Sequence, residues 1–132
     1  MKGKWLITGA NGQLGRECAR QLGSDSLILT DRDELDITDE AVVKGHLAAW
    51  LPAAVIHCAA YTNVDQAECD VENAQRINVN GAHYLAETCE MIGIPMVYVS
   101  TDYVFDGTKQ TPYLEDDATC PVGVYGKTKL AG

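Results

Sequence analysis

Residues 8–15 of this chain are Thr8-Gly-Ala-Asn-Gly-Gln-Leu-Gly15, with the three glycines evenly spaced. An apolar run, Lys4-Trp-Leu-Ile-Thr8, comes directly before them and is typical of a buried parallel strand. A helical pattern from Gln13 to Leu22 follows. Between a strand and a helix, this spacing predicts a loop that binds the pyrophosphate of a dinucleotide at the first N–H groups of the helix. A tight strand-to-helix turn without a ligand is the alternative.

Strand-like and helix-like segments alternate along the rest of the chain. Further strands are predicted at residues 26–30, 54–58 and 96–100, and further helices at residues 42–51, at residues 71–92 and from residue 124 on. Apolar stripes at helical spacing support the first helix and the long one: Leu14, Cys18 and Leu22, and Ala74, Ile77, Gly81, Leu85 and Cys89. The pattern predicts an α/β fold, a Rossmann-type doubly wound parallel sheet in strand order 3-2-1-4 that is truncated after about four strands.

The bulk composition predicts one domain, residues 1–132, without an internal linker. The net charge of −9, from 10 basic and 19 acidic residues, disfavours nucleic acid and anionic membranes as partners. No apolar run approaches the roughly 20 residues that cross a bilayer, and the amino terminus leads straight into a strand, so we expect no signal peptide and a cytoplasmic protein. The five scattered cysteines predict reduced thiols that mostly fill the core, and the histidines form no metal-ligand cluster.

A tyrosine and a lysine near the end of the chain carry the strongest chemical signal. Tyr125 and Lys129 are four residues apart, so they share one face of the last predicted helix. The lysine ammonium there favours the phenolate, an arrangement that nicotinamide-dependent reductases use for proton transfer. The glycine loop and the block Ser100-Thr-Asp-Tyr-Val-Phe-Asp-Gly107 turn this common pattern into a specific one. A helix start with ordinary exposed polar residues is the alternative.

Acidic residues after the second strand predict the adenosine end of the site. Asp31 is placed to accept hydrogen bonds from the ribose hydroxyls and to repel a 2′-phosphate, which favours NADH over NADPH. Arg32, next to it, softens that preference. An exposed charged turn is an equally good explanation for Arg32. Asp36 and Ile37 are expected to flank the adenine.

Small residues after the third strand predict where the dinucleotide passes close to the backbone. Ala59-Ala60-Tyr61 lies at the carboxyl edge of the sheet, where doubly wound folds bind ligands, although a simple packing site would have the same sequence. Asn78 lies inside the long helix, where asparagine is a mediocre helix former. It is expected either to hydrogen-bond the turn after the fourth strand or to face solvent. The polar stretch 102–121 is predicted to be an active-site loop.

Taken together, these motifs resemble the extended short-chain dehydrogenase/reductase superfamily and, more narrowly, its dTDP-4-dehydrorhamnose reductase family. The resemblance runs along essentially the whole chain and is carried by three segments: Ala59-Ala-Tyr-Thr-Asn-Val-Asp-Gln-Ala-Glu68, the 100–107 block, and Val124-Tyr-Gly-Lys-Thr-Lys-Leu-Ala-Gly132. It implies a reductase that uses NADH or NADPH to reduce the 4-keto group of a dTDP-6-deoxy-hexulose, the last step toward dTDP-L-rhamnose.

The resemblance also implies roles for individual residues. Thr101 takes the position that hydrogen-bonds the substrate carbonyl, Tyr125 that of the proton donor and Lys129 that of its partner. Asp102 and Tyr103 are expected near the sugar. With the residues argued above, the expected cofactor-binding set is Gly9, Asn11, Gly12, Gln13, Leu14, Asp31, Arg32, Asp36, Ile37, Ala59, Ala60, Tyr61, Ser100, Tyr125 and Lys129.

Family members also carry further strands and a C-terminal lobe that binds the nucleotide sugar, which this sequence does not contain. We therefore expect an open sheet edge at the fourth strand and a homo-oligomer that is built either across this edge or by exchange of the terminal helix. Some members bind Mg²⁺ at a dimer contact through a glutamate just after the third loop glycine, the position of Glu17. The alternative functions are a non-catalytic dinucleotide-binding or regulatory module and an inactive fragment of such a reductase.

Overall fold

A computed structural model describes residues 3–132, so the first two residues of the expected amino terminus lie outside the described part. Its strands form one parallel sheet: β1 Trp5–Thr8, β2 Leu27–Thr30, β3 Ala54–His57 and β4 Met96–Tyr98. Its helices are α1 Gln13–Leu22, α2 Glu40–Trp50, α3 Val64–Ala67, α4 Val71–Gln75, α5 Ala82–Ile92 and α6 Val124–Ala131. Short 3-10 turns lie at Ser24–Ser26 and Asp102–Val104. The α/β class and the parallel sheet are confirmed.

The predicted strand order was wrong. The observed order is β2-β1-β3-β4, so β3 pairs with β1, with Trp5 opposite Ala54, rather than lying beyond β2. The reason lies in residues 31–39, where Leu35 and Ile37 are buried in the core as irregular chain instead of pairing on β2. Helix α2 then carries the chain to the other side of β1. The order therefore reverses between β1 and β3, which is where open α/β sheets bind ligands.

Helices cover the two faces of the sheet unequally. Helices α2 and α5 pack on one face over a core of Leu6, Leu35, Ile37, Val43, Leu47, Val55, Leu85 and Cys89. On the other face, Cys18 of α1 packs against a smaller cluster of Ile7, Ala10 and Leu27. Leu14 and Leu22, predicted on the same stripe as Cys18, are 44% and 43% exposed. At the open edge that was predicted for β4, Val97 is 56% exposed.

The long predicted helix is interrupted by a π-helical segment. Residues Arg76–Gly81 form wider turns between α4 and α5. The predicted stripe is otherwise confirmed, because Ala74, Gly81, Leu85 and Cys89 are buried. A side chain at Gly81 would meet Ile37 Cδ1 at 2.8 Å, so this segment lies directly against the buried 31–39 chain. Such π segments are frequent at functional sites.

The polar stretch 102–121 is a loop with its own internal contacts. The rings of Phe105 and Tyr113 stack at 4.1 Å, and the Tyr113 hydroxyl donates to Asp106 at 3.2 Å. Lys109 pairs with Asp117. The loop is therefore ordered by its own side chains before helix α6 begins.

The cysteines only partly fit the expectation of core thiols. Cys89 is buried and Cys18 and Cys58 are partly buried, whereas Cys69 and Cys120 are exposed. Nothing in the spacing distinguished these two groups, because the exposed cysteines lie in irregular segments between helices. Among residues 3–132, no helix is long and apolar enough to cross a bilayer.

Candidate functional site

A cavity of about 930 Å³ opens at the carboxyl ends of the strands, between the glycine loop and helix α6. Its volume lies in the range of sites for small molecules and cofactors. Most of the predicted cofactor residues line it: Gly9, Gly12, Gln13, Leu14, Asp31, Arg32, Asp36, Ile37, Ala59, Ala60, Tyr61, Ser100, Tyr125 and Lys129. The wall also contains residues outside the predicted cofactor-binding set: Thr8, Gly15, Glu17, Leu35, Thr38, Cys58, Thr62, Asn73, Arg76, Ile77 and Val99.

The glycine loop is packed so closely that its first and third glycines have no room for a side chain. Gly9 has a φ of 65°, and a Cβ there would lie 2.7 Å from the Ala59 backbone. A Cβ at Gly15 would lie 2.2 Å from the Gly9 carbonyl oxygen. Gly12 is the N-cap of α1 and leaves the helix start without a side-chain cap. The first N–H groups and the positive end of the helix dipole are thus left open to an anion.

The carboxylate of Asp31 is fixed by the backbone on both oxygens. The Asn11 N–H donates to Oδ2 at 3.0 Å and the Arg32 N–H donates to Oδ1 at 2.9 Å. Each carboxylate oxygen keeps a second lone pair, so the side chain still offers acceptors to the cavity. Asn11 itself is outside the cavity wall and acts on it only through this bond.

Two arginines and a threonine surround Asp36 at the same end of the cavity. Thr38 donates to Asp36 Oδ1 from its N–H at 2.9 Å and from its hydroxyl at 2.7 Å. These bonds lower the pKa of Asp36, and Arg32 and Arg76 add to the effect through their charge. Arg76 Nη2 also donates to the Thr38 hydroxyl at 3.2 Å. Arg76 was not among the predicted site residues, and it lines the cavity from the start of the π-helical segment.

Helix α6 places Tyr125 and Lys129 on the cavity wall. Glu68 Oε1 accepts the Val124 N–H at 2.7 Å at the start of this helix, where the N-cap Gly123 has no side chain to do so. The Tyr125 ring lies edge-on to Tyr103 at 5.4 Å. Lys129 is only 4% exposed, and burial lowers its pKa to about 8.

The predicted substrate-side residues 101–103 do not line the cavity. The Thr101 hydroxyl accepts the Tyr103 N–H at 3.3 Å and donates to Asp102 Oδ1 at 3.3 Å. Thr101 is thus the N-cap of the Asp102–Val104 turn, a local role that threonine commonly takes. Ser100, one residue earlier, does line the cavity.

Asn78 takes neither of its two predicted positions. It is 1% exposed, and its carboxamide is bound to backbone and side-chain partners away from β4. Oδ1 accepts the Tyr61 N–H at 2.8 Å, and Nδ2 donates to the Tyr61 carbonyl at 3.1 Å and to Thr128 Oγ1 at 3.0 Å. The π-helical segment therefore ties the loop after β3 to the helix that carries Tyr125 and Lys129.

His57 is a buried neutral base below the cavity floor. The Ala59 N–H donates to Thr8 Oγ1 at 3.3 Å, which leaves the Thr8 hydroxyl free to donate to His57 Nδ1, 2.7 Å away. Burial, and then the nearby Lys129 ammonium, lower the pKa of His57 to about 4. Nε2 has no hydrogen-bond partner among the described residues. Burial also raises the pKa of the Cys58 thiol to about 11.

Glu17, which occupies the position of a metal-binding glutamate in some family members, is bound to its own helix. Arg20 donates to both of its carboxylate oxygens, at 2.9 and 2.6 Å, and Gln21 donates at 2.8 Å. Within the part of the chain that the structure describes, no group of three or more histidine, cysteine or acidic side chains is placed to hold a metal ion. The Mg²⁺ site therefore stays a prediction.

The family described as "RmlD substrate binding domain" matches residues 3–132. The chain belongs to this family. A dTDP-4-dehydrorhamnose reductase of Streptomyces griseus is 45% identical over 98% of this chain and 43% of its own length. A crystal structure of a dTDP-4-dehydrorhamnose reductase from Clostridium acetobutylicum is 45% identical, with a TM-score of 0.94 over 97% of this chain and 46% of that one.

A second dTDP-4-dehydrorhamnose reductase structure is similar to nearly the whole chain. The dTDP-4-dehydrorhamnose reductase of Bacillus anthracis, determined in complex with NADP, is 41% identical, with a TM-score of 0.94 over 99% of this chain and 48% of that one. The chain thus spans somewhat less than half the length of these relatives. The region in common is the part that carries the glycine loop and the Tyr125–Lys129 pair.

Proposed function

We propose that residues 1–132 form the dinucleotide-binding part of an NAD(P)H-dependent reductase that reduces the 4-keto group of a dTDP-6-deoxy-hexulose. The observation that carries this proposal is that the glycine loop after β1 and the Tyr125–Lys129 pair of α6 line one cavity. A dinucleotide fits there, because the loop offers a helix start without a side-chain cap and leaves no room for side chains at Gly9 and Gly15. The substrate class is supported by the names of the similar reductases, of which this chain covers 43% to 48% of the length.

Reduction of a ketone needs a hydride for the carbon and a proton for the oxygen, and the bound nicotinamide supplies the hydride. Tyr125 lies partly exposed on the cavity wall and donates the proton to the oxygen as negative charge develops there. Burial lowers the pKa of Lys129 to about 8, so its ammonium is still present at neutral pH on the same cavity wall as Tyr125. The start of α1 binds the pyrophosphate and orients the dinucleotide.

We further propose that the site accommodates NADPH as well as NADH. Asp31, which repels a 2′-phosphate, has both oxygens turned to backbone N–H groups, whereas Arg32 and Arg76 line the same end of the cavity. Guanidinium groups bind phosphate with paired, charge-assisted hydrogen bonds. The NADP complex of the Bacillus anthracis relative supports this assignment.

Calorimetric titration of the chain with NADPH and with NADH tests the cofactor part of the proposal. We expect saturable one-to-one binding of both, weakened at least about tenfold by Lys129→Met and unchanged by Lys44→Met, a partly buried lysine of α2 that does not line the cavity. Mixing with a dTDP-4-keto-6-deoxy sugar then tests turnover, followed by the loss of reduced-nicotinamide absorbance and abolished by Tyr125→Phe. Failure to bind either dinucleotide would refute the proposed site. Binding without turnover would instead support a non-catalytic dinucleotide-binding module.

A further inference from the structure

The Lys129 ammonium is buried without an acidic partner. Its side chain reaches the cavity from α6 with only 4% of the residue exposed. Four ion pairs join the charged side chains of residues 3–132, and none of them includes Lys129. A buried charge needs compensation from its surroundings, and here that compensation is aromatic.

Tyr98, the last residue of β4, contacts Lys129 at two separate points. The Lys129 Nζ lies 4.1 Å from the centroid of the Tyr98 ring, well inside the distance of a cation–π interaction. The Tyr98 hydroxyl donates to the Lys129 carbonyl oxygen at 3.0 Å. One side chain of the sheet thus holds both the ammonium and the backbone of the same lysine. These two contacts join the last turn of α6 to β4. The helix and this strand share no backbone hydrogen bond.

The other titratable groups next to this contact, on β3 and β4, are uncharged, so Lys129 carries the charge there. Burial raises the pKa of the Tyr98 phenol, so its ring is neutral. His57 of β3 stacks on Tyr98 at 5.7 Å and is uncharged, with a pKa of about 4. Cys58, also after β3, is a protonated thiol with a pKa of about 11. Tyr125 lies on the same helix as Lys129. Lys129 therefore supplies the positive charge that lies over the Tyr98 ring.

We propose that Tyr98 is a positioning residue that holds the Lys129 ammonium at the cavity wall through its aromatic ring, while its hydroxyl fixes the Lys129 backbone. The lysine is then in place before a dinucleotide arrives, and binding does not have to order its flexible side chain. The inference rests on the proposed function for the role of Lys129. The contact itself is a property of the free chain, so it is tested without any cofactor.

Direct titration of the lysines in the free chain provides that test. The chain is labelled with ¹³C-lysine, the Lys129 signal is assigned by its loss in Lys129→Arg, and its chemical shift is followed with pH. Tyr98→Phe is compared with a series of progressively fluorinated phenylalanines at position 98, which keep the shape of the ring and withdraw its electron density. Thermal unfolding confirms that each protein is folded.

We expect Tyr98→Phe to leave the Lys129 midpoint near that of the native chain, about 8, because the ring remains. Fluorination should then lower the midpoint stepwise by about one pH unit in all. The same fluorinated series at Tyr113, which lies near Lys109 in the loop, should leave the Lys129 midpoint unchanged. A Lys129 midpoint that does not change with fluorination would overturn the proposal. So would a midpoint that falls as far in Tyr98→Phe as it does in the fluorinated proteins. Neither result depends on whether NADPH binds.

Discussion

Glu68 Oε1 and the Val124 N–H form a 2.7 Å hydrogen bond that joins the end of α3 to the start of α6. The bond supplies an acceptor where the N-cap Gly123 has none, and a carboxylate at this position also favours the positive end of the helix dipole. A side chain at Gly123 would lie 2.8 Å from the same oxygen, so glycine is needed for Glu68 to reach the helix. The geometry of the Tyr125–Lys129 helix is thus set in part from the segment after β3.

Removing this cap should destabilise the chain. Glu68→Ala is expected to lower the free energy of unfolding by about 1 kcal/mol, the usual cost of losing a helix N-cap, and Glu68→Gln by less because it keeps an acceptor. Urea unfolding followed by circular dichroism measures both. Glu90→Ala, an exposed glutamate on α5, is the matched control with an expected change below about 0.5 kcal/mol. Equal effects of Glu68→Ala and Glu90→Ala would show that the cap contributes nothing.

Substitution by alanine should have opposite effects on stability at two glycines, Gly15 of the glycine loop and Gly45 of α2. Gly15→Ala places a Cβ 2.2 Å from the Gly9 carbonyl oxygen and should destabilise the chain and abolish dinucleotide binding. Gly45→Ala adds a Cβ with nothing within 4 Å, on the exposed face of α2. It should stabilise the chain by about 1 kcal/mol through helix propensity alone. Thermal unfolding and calorimetric titration with NADPH compare the two, and tight binding by Gly15→Ala would contradict the close packing.

Asn78 should be among the most sensitive polar residues of the fold. Asn78→Ala leaves the Tyr61 N–H and carbonyl and the Thr128 hydroxyl without the partner they now share. The cost of such buried, unpaired groups is expected to reach about 3 kcal/mol in the free energy of unfolding. Asn73→Ala, an exposed asparagine on α4, should cost less than about 1 kcal/mol. A loss at position 78 no larger than that at position 73 would mean that solvent replaces the carboxamide.

The local features of the site were predictable from the sequence, whereas its long-range partners were not. The strand–glycine–helix unit at residues 5–22 is specified by neighbouring residues, so its pattern alone predicted it. The strand order depends on whether Leu35 and Ile37 are buried as irregular chain or as a strand, and their hydrophobicity fits both. The contacts of Asn78 depend on a π-helical segment. The apolar residues of this segment have the same 3–4 residue spacing in the sequence as those of an ordinary helix, so the pattern does not reveal it.

His57 predicts how stability changes with acidity. Its pKa is 6.5 when exposed and about 4 in the fold, so between these values the unfolded chain binds the proton and the folded chain does not. The contribution of His57 to the free energy of unfolding is therefore fully present above its pKa in the unfolded chain, 6.5. It is lost as the pH falls from 6.5 toward 4. Lys129 does not contribute in this window, because it is protonated in both states.

The measurement is the free energy of unfolding of the native chain and of His57→Gln as a function of pH. From about pH 7 to about pH 5, the native chain should lose about 2 kcal/mol more free energy of unfolding than the variant. His46→Gln, at a partly buried histidine of α2, is the matched control for the substitution itself. Parallel curves for the native chain and His57→Gln would show that His57 is protonated as easily in the fold as outside it.

Arg76 predicts the dinucleotide preference of the cavity. Its guanidinium lies on the wall beside Arg32 and donates to Thr38, at the end of the site where Asp31 follows β2. Arg76→Gln removes one cation that faces a 2′-phosphate and should weaken NADPH binding about tenfold, or about 1.4 kcal/mol, while NADH affinity changes little. Lys127→Gln removes the same charge from an exposed site on α6, away from the cavity wall, and controls for net charge. Calorimetric titrations of both proteins with both dinucleotides give the ratio of affinities. A ratio that stays at the native value in Arg76→Gln would assign the phosphate to Arg32 alone, whereas an equal loss for NADPH and NADH would place Arg76 at the pyrophosphate or the adenine instead.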